Sequence, residues 1–293
     1  MRRPKRLIRH YLQQVMGAAR RRAYGLIKIP QVQQFIRVGH AAKGLLYGLI
    51  GLFAIHDLRY GQKVSGSEGV LVTLGRQPLG SVILGLLALG LLGYVLWRLI
   101  QALFDPGGSE DLGIRQVIQR CGYGASGLAY FGIARTAGNL ALGLVFDFDD
   151  TFEDVASVLF ERIIGPWVLF AVGCCIIGVG MTYIYGAFTG SYISQFRAEL
   201  DSSVKRWVVW IGKLGITARG VSFVLVGSYL VKAAYFLDSD SAGGLSYVFD
   251  QLDDDYWGKI WLGAIAFGFI AYAVYMVVAA LYRKFPTSPL RVI

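Results

Sequence analysis

Residues 39–45 (GHAAKGL), 122–128 (GYGASGL) and 215–221 (GITARGV) carry one motif three times: G-x-x-A-x-G followed by an aliphatic residue. The register continues beyond it. Eight positions after each leading glycine stands an aromatic ring (Tyr47, Tyr130, Phe223), and twelve after it a small residue (Gly51, Ala134, Gly227). A second set follows in each copy. Gly80, Gly165 and Gly258 head an apolar run, with Gly93, Gly178 and Ala271 thirteen residues on and Ala102, Ala187 and Ala280 twenty-two on. The two leading glycines are separated by 41, 43 and 43 residues. Agreement at a fixed period marks internal repetition, and the unit is two helices long.

These positions are packing positions. At about 100° per residue, offsets 5, 8 and 12 of the first helix fall on one face, which reads glycine, aromatic, small. Offsets 10, 13 and 17 of the second helix do the same: Gly90, Gly93 and Trp97; Cys175, Gly178 and Thr182; Gly268, Ala271 and Tyr275. Small residues let helices approach and the ring fills the space beside them. The alternative use of the same faces is a ligand cleft lined by the aromatics.

The solvent follows from composition. Apolar residues make up 55% of the 293, charged residues 16%, and glycine numbers 38 against seven prolines. Six apolar segments, near 39–58, 80–104, 121–145, 163–188, 209–235 and 258–282, each reach the roughly 20 residues a helix needs to cross a bilayer. The third and fifth are the least hydropathic. The predicted fold is therefore all-α and integral to a membrane, with six transmembrane helices arranged as three hairpins. Two crossings per repeat keep the copies parallel, and three parallel copies suit a pseudo-threefold bundle, with linear packing as the alternative. Leu71, Val72 and Leu74, and Val155, Val158 and Leu159, suggest short interfacial helices on the outer surface.

Charge sets the orientation. Residues 1–37 hold no acid and ten cations, including Arg20, Arg21 and Arg22. Arg197, Lys205, Arg206, Arg283 and Lys284 mark the same side, while acids crowd 147–154 and 250–255 on the other. Positive residues stay in the cytoplasm, so both termini are expected there. The units then read as a basic amphipathic tail (1–36) and hairpins at 37–106, 118–190 and 209–285. The Arg-rich start also fits an organellar transit peptide.

The run from Gly39 to Tyr47, the segment from Arg76 to Gly80, the helix from Gly90 to Arg98 and the following Asp105, Pro106 and Gly107 together resemble the bacterial integral membrane family catalogued as domain of unknown function 1206. The resemblance spans about residues 37–283 and is closest in the first copy; the later copies lack the Gln-Pro and Asp-Pro elements. It implies a bacterial cell (inner) membrane location and this architecture, and it brings no activity or functional residues.

Ionisable residues within a span are the default functional candidates. Arg135 sits mid-helix in the third segment, and Asn139, one turn on, is in register with His56 and Lys232. These four form the candidate intramembrane polar site, with outward snorkelling as the plain alternative. Lys43 and Arg219 share one motif position at the cytoplasmic ends of two repeats. With Arg20, Arg21 and Arg22 they are the candidate contacts for anionic lipid head groups, worth about 1 kcal/mol each; simple topology marking is the alternative.

Several classes drop out. The net charge of +10 is explained by topology, and no nucleic-acid motif accompanies it. No H-E-x-x-H, P-loop or G-x-S-x-G signature occurs, and the acidic stretches lack an EF-hand's glycine and terminal glutamate. The three cysteines have no ligand spacing, and the adjacent pair Cys174 and Cys175, inside an apolar run, read as small buried residues. No metal, cofactor or enzymatic activity is expected. The expected function is that of a structural or accessory membrane protein contacting anionic lipid. The alternative is a transporter or channel for a small solute, anions included, with Arg135 in its pathway. The sequence names no protein partner and no oligomeric state.

Overall fold

Proline and glycine punctuate the chain where its helices begin and end. Helix α1 (Pro30–Tyr60) opens with proline in its first turn, where a missing N–H costs nothing, and stops at Gly61 in the left-handed conformation, φ 64°. The computed structural model describes residues 25–61, 64, 66–104, 114–144, 156–195, 202–253 and 255–283. Within them follow α2 (Ser67–Gly75), α3 (Gly80–Phe104), α4 (Ile114–Ala141), α5 (Gly165–Thr189), α6 (Ser202–Phe236), α7 (Leu245–Asp253) and α8 (Tyr256–Tyr282). No strand occurs among the described residues.

The helices α1, α3, α5, α6 (from Arg206) and α8 are long and apolar enough to cross a membrane. Helix α4, with Arg120, Arg135 and Asn139 along its length, is not among them. Residues 1–24, with Arg20, Arg21 and Arg22, lie outside the described residues. Helix α1 begins at Pro30, ahead of the first motif glycine, and Val32 in its first turn packs against the cluster of Ile27, Ile36, Trp97 and Ile100.

Each second helix starts at a glycine for a steric reason. A Cβ on Gly80 would lie 2.1 Å from the Leu74 carbonyl oxygen; on Gly165, 1.6 Å from that of Leu159; on Gly258, 2.1 Å from that of Leu252. The preceding segment is thus pressed onto the start of the long helix in all three copies. In the outer copies that segment is the short helix α2 or α7, and in the middle copy residues 156–160 are helical too; the outer two turn apolar side chains into the bundle. Val70, Leu71, Leu74 and Phe249 are buried against the main core, and Val248 is buried beside Phe249 in sequence. The mouth of the bundle removes their apolar stripe from solvent more completely than an interface would. This end is called the capped end below, and the opposite one, where α1 and α6 begin and α3 and α8 finish, the basic end.

The long helices pack in sequence: α8 against α1, α1 against α3, α3 against α4, α5 against α6, and α6 against α8. Two residues before each motif glycine, a cation meets the end of the neighbouring copy's second helix. Arg37 donates to the carbonyl of Ala280 at 2.7 Å, to that of Arg283 at 3.2 Å, and to that of Leu281. Arg120 donates to the carbonyl of Ala102 at 2.7 Å and to that of Leu103. Lys213 lies over the Phe188 ring at 4.5 Å. The two arginines satisfy carbonyls that a helix C-terminus leaves without donors.

One seam is different. Within the first hairpin a Cβ on Gly39 would meet the Tyr94 nitrogen at 2.2 Å, and within the third a Cβ on Gly215 would meet the Tyr272 nitrogen at 2.4 Å. In the middle hairpin the corresponding Gly122 and Gly178 have nothing within 4 Å. Among the described residues α4 and α5 share almost no contact.

Candidate functional site

The four candidate polar residues do not form a buried site. His56, Arg135 and Lys232 are exposed, on α1, α4 and α6, and Asn139 is half-buried. His56 meets Asp57 Oδ1 at 3.2 Å, and Lys232 rests 5.9 Å from the Tyr229 ring. The reason is clearest at Arg135. Ala134 and Ala137 are buried and take the inward face of α4, which turns the arginine between them outward.

The interior holds other cations. Lys43 and Arg219 are 1% and 2% exposed. The surface position expected for them is corrected by this burial. Gly39, Lys43 and Tyr47 are spaced i, i+4, i+8, as are Gly215, Arg219 and Phe223, so each cation shares the inward face of its motif glycine and ring.

An aromatic cage surrounds them. Lys43 Nζ donates to Tyr94 Oη at 2.8 Å and lies 4.2 Å from the Tyr94 ring and 4.7 Å from that of Tyr130. Arg98 Nε donates to the same Tyr94 oxygen at 2.7 Å. Arg219 donates to Tyr272 Oη, and its guanidinium lies 4.9 Å from the ring of Tyr183, 5.0 Å from Phe223, 5.3 Å from Tyr47 and 5.8 Å from Tyr130. Tyr130 Oη donates to Tyr47 Oη at 3.1 Å. At the basic edge, His40 places Nδ1 2.8 Å from the Ile36 carbonyl and Nε2 2.7 Å from an Arg283 nitrogen. With Nδ1–H donating to the carbonyl, Nε2 accepts from the arginine, so the ring is neutral in this arrangement.

The cage contains cations and no bonded carboxylate among the described residues. Within the bounds of the six long helices Asp57, near the capped end, is the single acidic residue. Ring quadrupoles take the part of counter-charges, each worth up to about 2 kcal/mol or more for a desolvated cation. Phenol oxygens supply charge-assisted hydrogen bonds. Two donors are left over: Arg219 Nε and Ser126 Oγ are buried without a hydrogen-bond partner. Ser126 stands at the motif position that Lys43 and Arg219 fill in the other copies.

Towards the capped end the interior is filled. Tyr47 stacks edge-on against Phe269 at 5.1 Å and Tyr272 at 4.9 Å, and Phe249 of α7 lies 6.3 Å from Phe269. Towards the middle hairpin it is thinly covered. Ala125, Cys175 and Gly178 are exposed, whereas their counterparts Ala42, Gly90, Gly93 and Gly268 are buried. Cys174 and Cys175 are exposed rather than buried, as Cys121 is too, and for Cys175 the parted α4–α5 seam is the cause. A surface groove of about 550 Å³ also opens at the basic end between α1 and α8, beside Gln33, Gln34 and Arg37.

Comparison with known proteins gives a family and no activity. The family described as "Domain of Unknown Function (DUF1206)" matches residues 38–105, 121–190 and 214–283, one match per hairpin. The "Uncharacterized protein YxxB" of Bacillus subtilis (strain 168) is 28% identical over 261 residues, covering 87% of this chain and 92% of that protein. No solved structure matches.

Proposed function

We propose, for a chain that belongs to the Domain of Unknown Function (DUF1206) family, a non-enzymatic accessory role in the bacterial cell membrane, holding anionic lipid or a neighbouring protein rather than passing a solute. The observation that carries this reading is the plug. Above the cation cage the bundle is filled by Tyr47, Phe269 and Phe249 and roofed by α2 and α7. A conduit needs a wet path between two faces, and these packed rings support a closed interior instead. Arg135, which the transport alternative puts in its pathway, is exposed on α4.

The same reading takes all six long helices as spans, in three parallel hairpins about a pseudo-threefold axis, with both termini cytoplasmic. What supports the axis is recurrence. Arg37, Arg120 and Lys213 reach equivalent neighbouring helix ends, and Gly80, Gly165 and Gly258 abut equivalent carbonyls. Helix α4 is least apolar but packs closely on α3, which shields part of its polar surface.

The test is flux. Proteoliposomes containing the full chain, loaded with chloride, phosphate or a proton-sensitive dye, are expected to leak no faster than protein-free vesicles. Flux above that background, reduced by Arg135→Ala, would overturn the accessory reading in favour of transport.

A further inference from the structure

From Lys43, Ser126 and Arg219 we infer a buried binding site for a phosphate-type oxyanion. The three residues occupy one motif position in the three copies, on α1, α4 and α6. Lys43 and Arg219 share the rings of Tyr130 and Tyr272: Lys43 lies 4.7 and 5.5 Å from them, Arg219 5.8 and 5.2 Å. Ser126 is one turn before Tyr130 on the same helix. All three therefore address the same core.

Each has a donor to spare. Arg219 Nε and Ser126 Oγ are buried and unpartnered, and the Lys43 ammonium has three protons for its bond to Tyr94. A buried donor left unmade costs about 1–3 kcal/mol, and a cluster of like charges adds repulsion. An oxyanion relieves both. Its tetrahedral oxygens accept several hydrogen bonds at once, and its charge offsets Lys43, Arg98 and Arg219 together. A halide or a carboxylate would use fewer of these donors. Access is from the side: the parted α4–α5 seam exposes Ala125 and Gly178, which neighbour Ser126 and the helical turn leading to Tyr183 of the cage.

The phosphate could belong to a lipid head group or to a soluble ion, and the site stands whether or not the accessory role does. The experiment is thermal unfolding of the full chain in uncharged detergent at constant ionic strength. It is titrated with inorganic phosphate in one arm and short-chain phosphatidic acid in the other, with diacylglycerol as the uncharged control. A saturable rise in midpoint is expected in at least one arm. A rise with phosphatidic acid alone assigns the site to lipid, and a rise with inorganic phosphate at least as large assigns it to a soluble ion. Arg219→Gln is expected to weaken the apparent affinity at least tenfold. Ser126→Ala, a small-for-small change that tolerates failure of the first variant, is expected to weaken it several-fold. Arg162→Gln, at an exposed cation of the capped end, is expected to leave the rise in place. No rise in either arm, or a rise undiminished in Ser126→Ala and in whatever Arg219→Gln protein folds, overturns the site.

Discussion

One phenol oxygen holds two cations. Tyr94 Oη accepts from Lys43 Nζ at 2.8 Å and from Arg98 Nε at 2.7 Å, and Tyr94 is 2% exposed. Tyr94→Phe keeps the ring and its cation–π contacts but leaves both donors short of an acceptor. A hydrogen bond to a charged group is worth about 1.5–3 kcal/mol, so the variant is expected to unfold with a stability loss of about 2 kcal/mol or more. Denaturant unfolding in detergent measures it. Tyr185→Phe, at a ring 72% exposed on α5, is expected to change nothing. The cage was half legible beforehand. Tyr47, Tyr130 and Phe223 were visible as a periodic inward face, and Lys43 and Arg219 stand four residues before the first and last of them. A charge at a motif position suggested the surface, because a lone cation in a core is costly. Its offset from the glycine, i+4, was the signal that it pointed inward. Tyr94 and Tyr272, fourteen residues after Gly80 and Gly258, match each other but not Val179 of the middle copy, so no three-way register drew attention to them.

At the scale of helices, the hairpins divide by whether their glycines touch anything. Gly39→Ala and Gly215→Ala would place a Cβ 2.2 and 2.4 Å from backbone nitrogens of Tyr94 and Tyr272. Backbone cannot move aside as a side chain does, and overpacking costs roughly 1–3 kcal/mol. Gly122→Ala, with nothing within 4 Å, is expected to be neutral or to gain about 0.5–1 kcal/mol from helix propensity. Thermal midpoints of the three variants side by side check the contrast; equal destabilisation at all three would mean that α4 and α5 close as the other hairpins do. The sequence showed the period and the packing faces, since those are written in residue size. It could not show that one of three matching faces lacks its partner, because Gly122 and Gly178 look the same packed or bare. Nor could it place α2 inside the mouth of the bundle: an apolar stripe shows that burial occurs, not against what.

For the molecule as a whole, the number of crossings is decided by α4. Single cysteines in a chain without Cys121, Cys174 and Cys175 test it. Gln119→Cys and Arg206→Cys at the basic end are expected to react with a membrane-impermeant maleimide only after cells are opened, and Arg162→Cys and Lys259→Cys at the capped end in intact cells. All four sites are exposed. Labelling of Gln119→Cys and Arg162→Cys from the same side would leave five spans and invert the third hairpin. The parted seam then bears on how the protein sits among its neighbours. A ring built from three matched hairpins looks the same from three directions in the plane of the bilayer. With Gly122 and Gly178 bare and the other two hairpins shut, this one has a front. Whatever drifts against it meets a single bearing, and a molecule assembled by copying has thereby acquired a heading.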